Sequence, residues 1–280
     1  MSLSVLNNVS SLAAQNQLSM TQASLQKTLY QLSSGSRLNT GADDAAGLAI
    51  ADGLHANISA LTQSARNASD GVGSLQVADG ALAQVTALLN RAVTLATEAS
   101  TGTVSDTQRT TIDAEFTAIK AEIDRIGSST NYNGAQVFTA TATSVYLSDG
   151  TAGGATSIAV TTGALASSAI GFSGTATDIS GDDLTSATTA QAALTDITAA
   201  IANVAADRGA LGAEINRLQS ASSVITNQVQ NLTNAEDGIR AADIPSAVAN
   251  LSRLTVLQQT GMAALQQSNQ MQQSVLKLLQ

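Results

Sequence analysis

Two long stretches of this sequence place an apolar residue at every seventh position. In the first half, apolar residues from Leu54 to Ala96 follow one another in alternating steps of four and three, interrupted only by Asp79 and Thr86. In the second half, one row recurs every seven residues without a gap: Ile197, Val204, Leu211, Leu218, Ile225, Leu232 and Ile239. Heptad repeats of this length predict long helices that pack side by side in a left-handed coil.

The neighbouring sequence sets the expected bounds of these helices. Asp43 and Asp44 follow a turn-forming segment, so the first helix is expected from about residue 44 to about residue 99. A shorter helix is expected over about 107–126, where isoleucines and Phe116 share one face. The second long helix carries a companion row four residues after the first: Ile201, Arg208, Ile215, Ser222 and Val229. The prediction is a mainly α fold, a long coiled-coil-like helical bundle built from both chain ends.

The two ends of the chain are helical in pattern, apolar and almost uncharged. Residues 1–36 carry one charge, Lys27, and residues 254–280 carry one, Lys277. Short helices with an apolar seam and no charged residues on the opposite face are poorly stable alone in water. We therefore expect the two ends to pair with each other and with neighbouring molecules. The residues expected at such a subunit interface are Leu25, Leu29, Leu32, Leu251, Leu254, Leu265, Val275 and Leu279.

Breaks in the helical pattern lie at similar distances from the two ends. Residues 33–36 and Gly41 interrupt the first half, and residues 236–238 with Pro245, the only proline, interrupt the second. Asp243 precedes Pro245 by two positions and is expected to cap the last helix. Two arms of similar length fit an antiparallel pairing of the ends.

Residues 128–190 differ in composition from the rest and are rich in Ser, Thr, Ala and Gly. Short strand-like pieces occur at 144–147, 157–160 and 169–172, and turns are expected at 148–150 and 153–154. This is enough for a small β-hairpin or sheet region in the middle of the chain, which we expect to face solvent.

Composition excludes several classes of function. The formal net charge is −9, with no basic stripe, so nucleic-acid binding is not expected. No run approaches 18 apolar residues, so no membrane insertion is expected. The N-terminus lacks the pattern of a cleaved signal peptide. The chain contains no cysteine, and therefore no disulfide or thiolate metal site.

No constellation of residues indicates catalysis or a cofactor. Asp43 and Asp44 have no further ligand at metal spacing, since His55 is eleven residues away, and they are interpreted as helix-capping and linker residues. Asp182 and Asp183 are interpreted as loop residues and not as a calcium site. The sequence has no HExxH, P-loop or nucleophile-elbow motif. We therefore predict that the chain is not an enzyme.

Several motifs together resemble bacterial flagellin. At the N-terminal side these are residues 31–39 (QLSSGSRLN), 43–50 (DDAAGLAI) and 131–134 (NYNG). At the C-terminal side, residues 257–261 (LQQTG) and 266–270 (QQSNQ) resemble the end of the same family, as do residues 275–279. The resemblance covers about 1–138 and 190–280, in the family's order.

The resemblance implies a filament subunit with three regions. Residues 1–42 and 243–280 would form the terminal-helix domain of the inner tube. Residues 43–138 and 190–242 would form the long-helix bundle of the next shell, and residues 139–189 a short variable region facing outward. The family is exported unfolded through a type III apparatus, so the chain is expected to be secreted, in the extracellular flagellar filament. Implied partners are further copies of the chain, an export chaperone, and the filament cap and hook-junction proteins.

Family features also transfer to individual residues. The linker and helix-cap positions implied by the resemblance are Gly35, Arg37, Asp43, Asp44 and Pro245. A patch contacted by an innate immune receptor in some family members aligns with Leu89, Asn90, Arg91, Leu95 and, on the neighbouring helix, Glu115. The chain departs from the family at residues 41–42, where a basic residue is common, and in carrying a proline at 245.

Two alternatives remain open from the sequence. A hook–filament junction protein shares the coiled ends but usually has a proline soon after its paired aspartates, where this chain has Ala45 and Ala46. A coiled-coil effector or adhesin secreted by a related apparatus would bind host partners without forming filaments.

Overall fold

The computed structural model describes residues 8–150, 157–172 and 176–278, and within these ranges the chain is predominantly helical. Its elements are α1 (Val9–Ser34), α2 (Ala45–Ala99), α3 (Asp106–Ser129), β1 (Asn131–Tyr132), β2 (Ala135–Gln136), β3 (Thr143–Tyr146), β4 (Ser157–Val160), α4 (Ala187–Arg240) and α5 (Ile244–Leu278). The predicted fold class, long helices from both chain ends with a small β region between them, is confirmed.

The chain divides into two compact units. Unit 1 contains residues 1–56 and 231–280, and unit 2 contains residues 57–230. The divisions fall inside α2 and α4, so both long helices contribute to both units. The three-region division at 42/43, 138/139, 189/190 and 242/243 stays a prediction.

The three predicted bundle helices are present. Helix α2 begins one residue after its expected start. Helix α3, the shorter one, extends three residues past its expected end. The predicted interruption at residues 236–238 is wrong, because α4 continues to Arg240. The last turn is held by Arg240, whose Nη1 donates to Oε1 of Glu236 at 3.1 Å. Such an (i, i+4) contact contributes about 0.2–0.5 kcal/mol, which offsets part of the roughly 1 kcal/mol that a helical glycine such as Gly238 costs.

In unit 2, α2 and α4 run antiparallel, and their main heptad rows are buried. Leu75, Leu82 and Leu89 on α2 are almost completely inaccessible, as are Ile197, Val204, Leu211 and Leu218 on α4. The antiparallel direction follows from two contacts: Arg208 Nε donates to Oδ1 of Asp79 at 2.7 Å, and Leu218 lies against Gly71.

The second buried row differs from the expected one in both helices. The residues four positions after the main row are only half-buried, including Asp79, Thr86, Arg208 and Ile215. The residues three positions after it are buried more deeply and are mostly small: Ser64, Ala78, Val85, Ala92 and Ala99 on α2, and Ala193, Ala200 and Asp207 on α4. Small side chains let helices approach closely, so they occupy the contact and the larger residues lie at its edges.

A buried arginine closes the connection between α2 and α3. Arg109 donates from Nε to the carbonyl of Ala99 at 2.9 Å and from Nη2 to the carbonyl of Thr101 at 2.8 Å. The first bond satisfies a carbonyl that the end of α2 leaves unpaired, and the second holds the turn that follows the helix. Ser105 and Gln108 form a capping box at the start of α3, on which Phe116, Ile119 and Ile123 are buried.

The middle of the chain forms two antiparallel hairpins. Strands β3 and β4 pair with Thr143 opposite Val160, as expected from the sequence. Strands β1 and β2 pair across Asn133 and Gly134, which both have positive φ. An Asn-Gly turn is a strong hairpin signal that the sequence analysis used only as a family motif. Residues 169–172 form isolated bridges and no strand.

By length and composition alone, α2 contains a segment that could cross a membrane. An 18-residue window of this helix has a mean hydropathy of 1.2. The sequence contains no uninterrupted apolar run of that length, so no such segment was expected. A helix that buries one long side in a bundle has the same composition, so the observation is weak support for membrane insertion.

Candidate assembly surfaces

The first candidate site is the pair formed by α1 and α5, which we call the terminal pair. The two helices run antiparallel, because Nδ2 of Asn8 donates to Oε1 of Gln272 at 3.0 Å near one end. At the other end the backbone of Ser36 bridges that of Ala241. The expected antiparallel pairing of the chain ends is therefore confirmed.

The contact within the terminal pair is a narrow seam with coiled-coil spacing. Its residues on α1 are Ser11, Ala14, Leu18, Thr21, Leu25, Thr28 and Leu32, and on α5 Ala247, Leu251, Leu254, Gln258, Gly261, Leu265, Ser268 and Gln272. Among these, only Thr21 is fully buried, and the rest are half-buried. A seam with many polar or small members and little full burial gives the pair a modest hydrophobic contribution.

The eight predicted interface residues fall into three groups. Five lie on the seam inside the terminal pair: Leu25, Leu32, Leu251, Leu254 and Leu265. Leu29 points away from it and is 45% exposed. The side chain of Val275, and Leu279 entirely, lie outside the described residues. Their role between subunits stays a prediction.

A different set of large apolar side chains remains exposed around the terminal pair. We call it the outer surface: Val9, Leu12, Met20, Leu29, Tyr30, Ile244, Val248, Val256, Leu257, Met262 and Met271. These residues occupy several sides of the two helices, and the sequence analysis named only Leu29 among them. The signal that could have found the others is the near absence of charge on any face, since a helix that is apolar all round is normally buried.

The segment that follows α1 lies beside the segment that precedes α5. We call residues 35–37 and 239–242 together the linker clasp. The amide of Arg37 donates to the carbonyl of Arg240 at 2.6 Å, and Nη2 of Arg37 to the carbonyl of Ile239 at 3.0 Å. The amide of Ala242 donates to the carbonyl of Gly35 at 3.0 Å. Gly35 ends α1 with φ +69°, a conformation that favours glycine.

Asp43 joins the linker to α1. Its Oδ1 lies 2.6 Å from Nζ of Lys27, and its Oδ2 accepts hydrogen bonds from the amides of Asn39 and Thr40. The hydrogen bond from Lys27 is the largest cause that lowers the pKa of Asp43 to about 2, and the two amides add to it. Lys27, the only charge in residues 1–36, thus has a defined partner.

The two other predicted capping sites lie at helix starts. Oδ1 of Asp44 accepts from the amide of Gly47 at 2.9 Å at the start of α2. A Cβ at Gly47 would lie 2.5 Å from Oδ2 of Asp44, so this cap needs a glycine there. Oδ1 of Asp243 accepts from the amide of Ser246 at 3.3 Å, and Pro245 lies in the first turn of α5. Proline is well suited there because its missing N–H would be unpaired anyway.

The predicted receptor patch is divided by burial. Leu89 and Leu95 are buried in the bundle, whereas Asn90, Arg91 and Glu115 are exposed. Arg91 binds Glu115 through two hydrogen bonds, from Nε at 2.7 Å and from Nη2 at 3.0 Å. The hydrogen bond from Arg91 lowers the pKa of Glu115. The accessible part of the patch is therefore an ion pair between α2 and α3.

Charged side chains of α3 anchor the middle region to the helices of unit 2, a role that the sequence did not indicate. Asp124 accepts from the amide and the hydroxyl of Ser167, at 2.6 and 3.0 Å. Asp113 accepts from the amide of Leu184 at 2.8 Å. Because isolated aspartates on an amphipathic helix are usually solvated, no local signal separated these from other surface acids.

A second pair of anchors lies on α4. Both oxygens of Asp207, which is buried, accept from the amide of Phe172 at 3.1–3.2 Å. Nδ2 of Asn203 donates to Oγ1 of Thr177 at 2.8 Å. Gly171, with φ +110°, lies so close to Asn203 that a Cβ would be 2.7 Å from the Asn203 side chain. These contacts fix the loop after β4 against the bundle.

The titratable groups in the part of the chain that the structure describes pair mainly at the surface. His55, the only histidine, has Nδ1 3.3 Å from Oε1 of Glu236 on α4. Among the described residues, no three His, Cys, Asp or Glu side chains lie close enough together to form a metal-binding group. The candidate sites of this chain are therefore two contact surfaces, the outer surface of the terminal pair and the exposed part of the receptor patch.

Two family profiles match the chain at its two ends. The one described as the bacterial flagellin N-terminal helical region matches residues 5–143, and the one described as the bacterial flagellin C-terminal helical region matches residues 194–279. The chain belongs to the bacterial flagellin family. The resemblance indicated by the sequence motifs is confirmed.

Two proteins of similar sequence agree with this assignment over nearly the whole flagellin chain, and one solved structure is similar over part of it. The flagellin of Halalkalibacterium halodurans is 33% identical over 254 residues, 91% of each chain. The flagellar filament 33 kDa core protein of Treponema phagedenis is 32% identical over 284 residues, 98% of each chain. The crystal structure of Bacillus cereus flagellin is 27% identical and covers 61% of this chain and 94% of that one, with a TM-score of 0.49.

Membership of the flagellin family makes the chain a structural subunit of the flagellar filament. Flagellins polymerise, so the chain self-associates, and the filament that the family forms is extracellular.

Proposed function

We propose that this flagellin polymerises through the outer surface of its terminal pair. The observation that supports this most directly is the set of exposed apolar residues around α1 and α5, including Val256 at 60% and Met20 at 66% exposure. The terminal helices carry few charges that would oppose their burial. Large apolar side chains exposed in this number on two adjacent helices are typical of an interaction site. The occupant is further copies of the same chain, joined by a helical, non-closing contact.

In this proposal the three predicted regions have distinct roles. Residues 1–42 and 243–280 form the inner tube, and residues 43–138 and 190–242 form the surrounding shell. Residues 139–189 face outward, anchored to α3 and α4. The seam residues pack α1 against α5 within one subunit: Leu25, Leu32, Leu251, Leu254 and Leu265. The residues of the outer surface, which include Leu29, then make the contacts between subunits together with Val275 and Leu279.

Seeded polymerisation of two matched variants tests the proposal. Val256→Asp places a charge on the outer surface, and Val256→Leu keeps it apolar. Position 256 does not belong to the seam. We expect the first to slow elongation of short filament seeds by at least about tenfold, because an unpaired charge would be buried, and the second to elongate normally. Electron microscopy and sedimentation measure the filaments, and circular dichroism checks that both variants are folded. Equal elongation by both variants would contradict the proposed surface.

The same experiment separates the alternatives. Unaltered chain that stays monomeric with seeds would favour a hook–filament junction protein or a secreted coiled-coil binding protein. Deletion of residues 254–280 should abolish the filaments if the terminal pair is the assembly element.

Further partners are proposed from the family. These are an export chaperone acting before secretion through the flagellar type III apparatus, the filament cap and the hook-junction proteins. For an innate immune receptor, we propose that Asn90 and the ion pair of Arg91 with Glu115 are the recognised groups, since Leu89 and Leu95 are buried. An unchanged receptor response to Arg91→Ala would contradict this.

A further inference from the structure

Three of the chain's four methionines lie on the outer surface of the terminal pair. Met20 on α1 is 66% exposed, and Met262 and Met271 on α5 are 44% and 58% exposed. Met1, the fourth, is outside the described residues. Methionine is usually a buried side chain, so finding all three described methionines exposed at the proposed assembly surface suggests a shared role.

We infer that Met20, Met262 and Met271 form an oxidation-sensitive modification site, at which conversion to methionine sulfoxide by a peroxide stops the free chain from joining the filament. This inference rests on the proposed function, because the modified residues must be those that become buried between subunits. Assembly in turn protects the three sulfur atoms, so the site distinguishes the free subunit from the assembled one.

The chemistry of the step is simple and needs only hydrogen peroxide as co-reactant. A lone pair of the thioether sulfur attacks one peroxide oxygen, the O–O bond breaks, and the leaving hydroxide takes the remaining proton to give water. Sulfur is oxidised by two electrons and the peroxide is reduced. The chain contains no cysteine and no tryptophan, so neither a thiol nor an indole competes for the oxidant. Exposed methionines are then the most susceptible side chains.

The sulfoxide would oppose assembly for a physical reason. It turns a flexible apolar side chain into a polar one that needs a hydrogen-bond donor. The other members of the outer surface are aliphatic, such as Leu12, Val248 and Val256, except for Tyr30, whose hydroxyl is the only donor that their side chains offer. Burial of an unpartnered polar group is therefore expected to reduce elongation by about tenfold or more.

The experiment compares free chain and filaments treated with the same concentration of hydrogen peroxide. Peptide mass spectrometry measures the added oxygen at each methionine, and sedimentation measures elongation of untreated seeds. We expect all three methionines of the free chain to be oxidised and its elongation to fall at least about tenfold. The same residues in filaments should remain unmodified. Reduction by methionine sulfoxide reductases of both stereospecificities should restore elongation.

A matched variant with Met20→Leu, Met262→Leu and Met271→Leu keeps the volume and apolar character of the surface. It should elongate seeds before and after peroxide treatment. Loss of its elongation on treatment, or normal elongation by oxidised unaltered chain, would overturn the inference while leaving the proposed function intact. Untreated, unaltered chain that does not elongate seeds would overturn the proposed function and this inference with it.

Discussion

At the scale of single residues, the helix ends of this flagellin depend on a few polar side chains with several partners each. Arg109 is buried where α2 meets α3 and holds two main-chain carbonyls. Asp44 caps α2, and residue 47 must be a glycine because a Cβ there would clash with the Asp44 carboxylate. Asp43 combines an ion pair with two amide bonds. Each replaces hydrogen bonds that the chain would otherwise make with water, so losing one partner leaves others unsatisfied.

Asp43 gives a prediction about pH. Its pKa is lowered to about 2 in the folded chain, chiefly by Lys27, whereas an unfolded aspartate titrates at about 3.9. A folded pKa below the unfolded one adds stability that is present above about pH 4 and is lost as the pH falls towards 2. In urea unfolding at pH 5 and pH 2.5, Asp43→Asn should show a smaller drop in midpoint than the unaltered chain. The exposed Asp237→Asn should show the full drop; equal drops in both variants would contradict the assignment.

At the scale of elements, the heptad pattern identified the long helices but not the side that each buries most deeply. The row three residues after the main row, which is rich in Ala, lies in the contact, and the row four residues after it flanks the contact. This is why Asp79 and Arg208 could occupy positions that looked like gaps in the apolar seam. They form an ion pair at the edge, and the pairing raises the pKa of Arg208.

The anchor from α4 to the middle region gives the second prediction. Asp207→Ala removes the acceptor for the amide of Phe172 in a buried place and should lower the free energy of unfolding by about 2 kcal/mol. Asp207→Asn keeps one acceptor oxygen and should cost less. Chemical denaturation measures both, with the exposed Asp70→Ala as control on α2. A cost for Asp207→Ala no larger than that for Asp70→Ala would show that the anchor contributes little.

At the scale of the whole molecule, burial is distributed unequally. The core residues that are almost inaccessible lie mainly in unit 2, on α2, α3, α4 and the loop after β4. On α1 the one fully buried residue is Thr21, and the described side chains of α5 include no fully buried one. Regions with few buried apolar contacts open at low free energy. We therefore expect the terminal pair to gain the most stability from contact with neighbouring subunits.

Amide exchange tests this difference. In dilute free chain, we expect the amides of α1 and α5 to exchange rapidly and those of residues 75–95 to be protected, because only the latter belong to a buried core. In filaments both regions should be protected. Slow exchange of the terminal helices in the free chain would mean that they are stable without neighbours.

The sequence by itself determined the number of the long helices, the bounds of α2 to within one residue, the pairing of the chain ends and the family. Heptad spacing, turn residues and motifs are local or periodic signals, and these survive whatever packs against them. Only the tertiary structure decided which row of α2 and α4 is buried, which leucines serve the seam of the terminal pair, and which aspartates hold the middle region. Those outcomes depend on how closely two surfaces can approach and on partners distant in sequence, such as Asp207 and Phe172. A single sequence carries no direct record of such contacts.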